Sequence, residues 1–161
     1  MYINFWYVAD QSQNITESPV KKKMLGQNFV LFRDTKGNVH CLNDVCVHRG
    51  GSLAGGKIVK DCIQCPYHGW QFNGEGKCQK IPSLGKGKKI PSRVKVDSYP
   101  TKELYGLVFC FLGDLPEKER CPIMTVDEYE QEGWRTTTQY FQFDIDYKRS
   151  IENGIDGAHN E

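Results

Sequence analysis

The sequence predicts a mainly β fold: a small sandwich or barrel of short antiparallel strands, followed by a short α-containing C-terminal tail. Strand-like segments alternate with turn-forming clusters at short spacing as far as Leu112, and helical periodicity is confined to the residues beyond it. Two Cys–His pairs fall where loops are expected, so the scaffold presents ligands from loops on a rigid frame.

Gln27 to Arg33 and Val39 to Asn43 flank Asp34-Thr-Lys-Gly-Asn38, whose residues suit a tight turn. Lys57 to Val59 and Cys62 to Gln64 flank Lys60-Asp61, and Gln71-Phe72 and Cys78-Gln79 flank Asn73-Gly74-Glu75-Gly76. Val94 to Tyr99 reads as a strand, and Leu107 to Phe111 is a continuous apolar run expected to be buried. Gly113 to Arg120 is a break of Pro and charge. Thr125 to Glu132 reads as a short helix, capped by Thr125 with Glu128 as its reciprocal partner. Trp134 to Ile145 returns to strand character. From Asp146 to Glu161 the pattern is helical, with Tyr147, Ile151 and Ile155 at four-residue spacing. A boundary near residue 118 divides the chain into 1–118 and 119–161. The second part is too short to build its own core, so it must lean on the first or belong to something larger.

With 161 residues the chain is long enough for one well-packed domain and too short for two. A net charge of +1 suggests no nucleic-acid partner. The basic runs Lys21-Lys22-Lys23 and Lys86 to Lys89 read first as solvated turns, and second as part of a docking surface for an acidic electron donor. The start, Met1-Tyr-Ile-Asn-Phe-Trp6, has neither the basic region nor the apolar core of a signal peptide. The longest clean apolar run, Leu107 to Leu112, is too short to cross a bilayer. An odd count of seven cysteines then points to a reducing, cytoplasmic setting with thiols free or metal-bound. Cys41, Cys62, Cys78, Cys110 and Cys121 read as ordinary small residues of strands and turns. Cys62-Ile-Gln-Cys65 lacks the strand–turn–helix context of a redox dithiol.

The chemistry concentrates in Cys46-Val-His48-Arg-Gly50 and Cys65-Pro-Tyr-His68-Gly-Trp70. Two thiolates and two imidazoles suit a tetrahedral site for zinc, or iron in an iron–sulfur cluster. Each segment supplies one ligand of each kind. A [2Fe–2S] cluster with two Cys on one iron and two His on the other needs that composition, and two loops can straddle it. A zinc finger would place its second pair at His-x3–5-His spacing on a helix, and no such pair occurs. A structural Cys2His2 zinc site stays open as the alternative.

Cys-x-His-Arg-Gly and Cys-Pro-Tyr-His-Gly-Trp, with Leu53 and Gly56 between them, resemble the Rieske box of the terminal components of non-haem iron oxygenases. Further similarity lies in Trp6-Tyr7-Val8, Ile81-Pro82-Ser83 and Tyr105-Gly106-Leu107, most like vanillate O-demethylase-type and phthalate-dioxygenase-type members. The resemblance implies a Rieske-type iron–sulfur fold of stacked antiparallel sheets. It implies a [2Fe–2S] cluster with Cys46 and Cys65 on one iron and His48 and His68 on the other. The potential should then lie in the range of about −150 to +300 mV. Respiratory Rieske proteins, a related family, carry a paired Cys in each loop where this chain has Gly51 and Tyr67, which places it with the oxygenase type. Gly50, Gly51 and Gly69 should let the loops turn tightly, and Trp70 should pack beneath the loop rather than relay electrons. His40, in an early hairpin, reads as a surface residue.

Asn153-Gly-Ile-Asp156-Gly-Ala-His159 spaces three polar side chains at i, i+3 and i+6, close to one face of a helix. By resemblance to the oxygenase pattern Asn-x-x-Asp-x-x-His-x3–4-His, His159 is the first ligand of a mononuclear non-haem Fe(II). Asp156 is the acid that bridges electrons to that iron from a neighbouring subunit of the family's trimer. The sequence stops at Glu161, before a second His or a carboxylate ligand. The expectation is the N-terminal part of an oxygenase that uses O2 on a small, aromatic substrate, catalytically incomplete by itself. A ferredoxin or flavin/iron–sulfur reductase would be its electron donor. A stand-alone Rieske ferredoxin is the alternative, and the tail argues against it.

Overall fold

The computed structural model describes residues 3–85 and 87–157. The chain forms two compact units, Met1–Met124 and Thr125–Glu161.

Among the described residues of the first unit, three antiparallel sheets are built from short strands. One orders β1 (Phe5–Gln11), β11 (Leu107–Leu112) and β10 (Thr101–Leu104). A second orders β2 (Val20–Met24), β3 (Gln27–Arg33), β4 (Val39–Asn43) and β9 (Ser98–Tyr99). The third runs β5 (Lys57–Val59), β6 (Cys62–Gln64), β7 (Gln71–Asn73) and β8 (Cys78–Lys80) in sequence order.

Strand β3 explains how the sheets stack. Its run Phe29-Val30-Leu31-Phe32 is fully buried, as a strand covered on both faces must be. Successive side chains point to opposite faces. Phe29 and Leu31 join Cys41, Val108 and Cys110 in one core against the β1–β11–β10 sheet. Val30 and Phe32 join Leu42, Ile63 and Phe72 in another, against the β5–β8 sheet. The middle sheet therefore has a core on each side. Each fully buried Phe or Leu contributes about 1.5–3 kcal/mol relative to exposure. The second core also holds Cys46, Leu53 and Cys65, so it is the floor beneath both Cys–His loops.

The first unit extends to Met124, past the boundary expected near residue 118, because the residues after that point are tied back. The Trp6 indole N–H donates to the Cys121 carbonyl at 2.9 Å. The Arg120 guanidinium lies 5.1 Å from the Phe111 ring centroid.

Several expectations need correction. Strands β1, β2 and β10 lie outside the segments expected to be strands. Lys21-Lys22-Lys23 lie on strand β2, not in a turn, and Lys22 pairs with Asp10 at 2.7 Å. Of Val94 to Tyr99 only Ser98–Tyr99 is a strand. The Val94 N–H closes a turn on the Pro91 carbonyl, and Lys95 makes an isolated bridge to Lys77. His40 is not a free surface residue: its Nε2 lies 2.9 Å from Asp34, and its ring lies against Gly74, where an added Cβ would stand 2.1 Å from Nδ1.

In the second unit, Thr125 to Glu132 forms turns, not a helix. The stretch is too short to be helical without packing, and its acidic side chains repel one another. Trp134 to Ile145 is not a strand: no partner strand lies beside it among the described residues, so its backbone groups have no ladder to join. Helix α1 spans Tyr147–Ile155, capped by Asp146, whose carboxylate accepts from the Lys148 N–H at 2.9 Å. It does not run on through Asp156. Gly154 and Gly157 flank that position, and glycine costs about 1 kcal/mol in a helix interior. Among the described residues, no helix is long and apolar enough to cross a membrane.

Candidate metal centre

The two Cys–His segments form loops of matching construction, one between β4 and β5, the other joining β6 to β7. In the first, the Cys46 N–H donates to the Gly51 carbonyl at 2.9 Å, and the Gly50 N–H donates to the Cys46 carbonyl at 2.9 Å. In the second, the Cys65 N–H donates to the Trp70 carbonyl at 2.8 Å, and the Gly69 N–H to the Cys65 carbonyl at 3.0 Å. Each closure needs a left-handed residue, supplied by Gly50 at φ +71° and Gly69 at φ +72°. The sequence Cys-x-x-x-Gly thus writes the same turn twice.

The turns bring the four candidate ligands together. Cys46 and Cys65 are each 2 % exposed and belong to the same core. Burial pushes the Cys46 thiol up to about 11, and the adjoining Cys65 thiol adds to the rise. The backbone N–H groups of His48 and Arg49 face the Cys46 sulfur and oppose it. Bound iron would reverse that balance, because a coordinating thiol is deprotonated outright. The rings of His48 and His68 meet edge to face, with centroids 4.5 Å apart and planes at 67°.

Among the described residues, one buried side-chain nitrogen is left without a partner. His48 Nδ1 is buried and makes no hydrogen bond. An unsatisfied buried polar group costs about 1–3 kcal/mol, and a metal bond would satisfy it. Lost hydration, then the neighbouring His68 and Arg49, lower the His48 pKa, which favours the neutral ring that a metal requires. Among the described residues, no group of three or more His, Cys, Asp or Glu side chains is arranged around a single metal ion. A two-iron cluster asks only two protein ligands of each iron. The donor set present, two buried thiols beside two imidazoles, could hold such a cluster.

Two further residues shape the site. Trp70 does not simply pack beneath its own loop. Its indole stacks on the His48 ring of the other loop, with centroids 4.5 Å apart and planes 6° from parallel. Asp44 carries no signal in the sequence. Its carboxylate is buried, accepts from Ser52 Oγ at 2.7 Å and the Ala54 N–H at 2.7 Å, and lies 3.3 Å from Lys21 Nζ. It ties both ends of the first loop to strand β2. No periodicity marks an acid two residues before Cys46, and its partners lie eight and ten residues on.

The tail residues belong to the second unit. Asn153 lies within α1, and Asp156 is its C-cap, with its N–H donating to the Glu152 carbonyl at 3.2 Å. His159 lies outside the described residues. The i, i+3, i+6 face is therefore helical only as far as Ile155.

Residues 5–100 match the Rieske [2Fe-2S] domain family. The chain is 34 % identical over 162 residues to the 4beta-methylsterol monooxygenase of Methylococcus capsulatus (strain ATCC 33009 / NCIMB 11132 / Bath), covering 97 % of this chain and 43 % of that protein. It is 35 % identical over 160 residues to the chloroplastic chlorophyllide a oxygenase of Chlamydomonas reinhardtii, covering 97 % of this chain and 23 % of the relative. Among solved structures, dicamba monooxygenase bound to dicamba superposes with a TM-score of 0.82 at 32 % identity, covering 93 % of this chain and 44 % of that one. The chain spans less than half the length of each of these proteins.

Proposed function

The chain belongs to the Rieske [2Fe–2S] domain family, and from that premise we propose that Cys46 and Cys65 hold one iron of the cluster, and His48 and His68 the other. The buried, unpartnered Nδ1 of His48 carries this reading. The cluster, when bound, takes up and releases one electron at a time. The chain's residues set its surroundings. Cys46 and Cys65 keep the sulfur side in the core, while exposed His68 keeps the imidazole side near solvent. The N–H groups of His48 and Arg49 point at the Cys46 sulfur and favour its anionic form.

We read the protein as the electron-transfer portion of a Rieske oxygenase that uses O2 on a small, aromatic substrate. The monooxygenase and oxygenase relatives support the oxygenase part of this reading, and so does the continuation of the match through the tail. A ferredoxin or a flavin/iron–sulfur reductase would supply the electrons. Residues 119–161 would begin a mononuclear-iron domain, with Asp156 as the electron bridge and His159 as its first iron ligand. With Cys46 and Cys65 on iron, the other five cysteines remain free thiols, which favours a reducing compartment such as the cytoplasm. A stand-alone Rieske ferredoxin is the second reading. The Asn153-x-x-Asp156-x-x-His159 pattern weighs against it, since an electron shuttle has no use for it.

Replacing His68 tests the ligand assignment. His68→Cys would add negative charge at the iron that the histidines would hold, so the potential should fall or the cluster be lost. Unchanged visible and EPR spectra would contradict His68 as a ligand.

A further inference from the structure

Among the described residues, Asp44 is the one charged residue that is buried, at 3 % exposure. A charge taken out of water is costly, and it persists only where it is paired and hydrogen-bonded. This one lies two residues before Cys46, so their Cα atoms stand no more than about 7.6 Å apart.

Three groups hold the carboxylate. Ser52 Oγ and the Ala54 N–H each donate to it at 2.7 Å, and Lys21 Nζ lies 3.3 Å away. The Asp44 N–H donates to the Asn28 carbonyl of β3 at 3.1 Å. Ser52 follows Gly51, whose carbonyl accepts from the Cys46 N–H, so the Asp44–Ser52 bond brackets the turn that holds Cys46. Leu53, between the two donors, is fully buried in the core that contains both candidate sulfurs. The carboxylate therefore clamps the first loop at its foot.

Clamping alone does not require a charge. An asparagine has an oxygen for the Ala54 N–H and an amide for Ser52. The pair is also lopsided: the Asp44 side chain is 1 % exposed and that of Lys21 is 52 % exposed. Water and salt screen the lysine, while the buried carboxylate keeps more of its field. A fixed negative charge disfavours the arrival of an electron nearby, the more so where the surroundings are poorly polarisable.

We propose that Asp44 sets the reduction potential of the cluster from the foot of the first loop, holding it down by its buried charge, with Lys21 as a partial counterweight. The proposal rests on the cluster assignment above. Asp44 is a positioning residue that acts through the loop and through its field. Reduction adds one electron, and no bond is made or broken.

Spectroelectrochemical titration of the full chain with its cluster loaded reads the midpoint. Asp44→Asn keeps the clamp and removes the charge. Its midpoint should rise by about tenfold in the reduced-to-oxidised ratio at a fixed potential, or about 59 mV for one electron. Lys21→Met should shift the midpoint down, by less, and that shift should shrink as salt is raised. Ser52→Ala keeps both charges, so it should shorten the life of the cluster under a chelator and change the ratio by less than about twofold. A role in folding alone would move Asp44→Asn and Lys21→Met in the same direction or move neither, and either outcome would overturn the proposal. Amide exchange of the apoprotein reads the clamp without iron. The Ala54 N–H should stay protected in Asp44→Asn and exchange at least about tenfold faster in Asp44→Ala. Equal exchange in the parent and Asp44→Ala would overturn the clamp. Zinc without labile sulfide in the parent would overturn the potential-setting role together with the cluster assignment, and would leave the exchange result standing.

Discussion

The Trp70 indole lies flat on the His48 imidazole, 4.5 Å away and 6° from parallel, although the two residues belong to different loops. This contact joins the halves of the candidate site through the His48 ring. It fixes the plane of His48, and so the direction in which the buried Nδ1 points. Aromatic pairs of this kind are worth about 0.5–1.5 kcal/mol beyond the area they bury.

Trp70→Ala should therefore loosen His48 and shorten the life of the cluster under a chelator several-fold, whereas Trp70→Phe should retain most of it. Decay of the visible spectrum with time measures this. Equal decay in parent and alanine variant would show that the stack does not hold the ring.

Asp44 anchors the first loop through Ser52, Ala54 and Lys21. Asp44→Ala leaves the Ala54 N–H unpaired and should cost about 1–3 kcal/mol. Urea unfolding of the apoprotein separates this loss of stability from any effect on cluster binding.

Gly51 and Tyr67 face each other across the loops: a Cβ built at Gly51 stands 3.5 Å from Tyr67 Cβ. Disulfides span Cβ separations of about 3.5–4.5 Å. The pair Gly51→Cys and Tyr67→Cys should cross-link on oxidation and stabilise the protein by about 2–4 kcal/mol. Mass spectrometry would detect the loss of two hydrogen atoms to the oxidant, and reduction should return the unfolding midpoint to that of the uncross-linked protein.

Burial alone would raise the Asp34 carboxyl, but hydrogen bonds from Asn38, His40 and the Lys36 N–H outweigh it and hold the group well below the usual carboxylate range. A depressed folded-state value gives stability that is present above the unfolded value of about 3.9 and is lost as pH falls through the folded one. The urea midpoint should decline below about pH 4, and Asp34→Asn should be less stable at neutral pH with a flatter acid profile. A variant whose acid profile matches the parent's would assign the decline to other carboxylates.

The parts of this fold legible in the sequence were those that carry local chemistry. The Asp34-to-Asn38 turn announced the β3–β4 hairpin, and the Asp34 carboxylate does bind the Asn38 N–H at 2.8 Å. The two candidate ligand loops were legible because Cys, His and Gly recur at matched positions in both. The hidden parts depend on distant partners. β1 pairs with β11, and Phe5 meets Leu112 across more than a hundred residues of chain. Asp44 and the Trp70–His48 stack are fixed by tertiary contacts that leave no period. The tail misled in the opposite way: Trp134 to Ile145 has the residues of a strand but no neighbouring strand among those described.

Two thiols and two imidazoles are proposed to share two irons. The most direct measurement is metal and acid-labile sulfide analysis of anaerobically purified protein, with EPR of the reduced form. The expected result is about two irons and two sulfides per chain, with a Rieske-type signal showing coupling to two histidine nitrogens. Stoichiometric zinc without labile sulfide would contradict it.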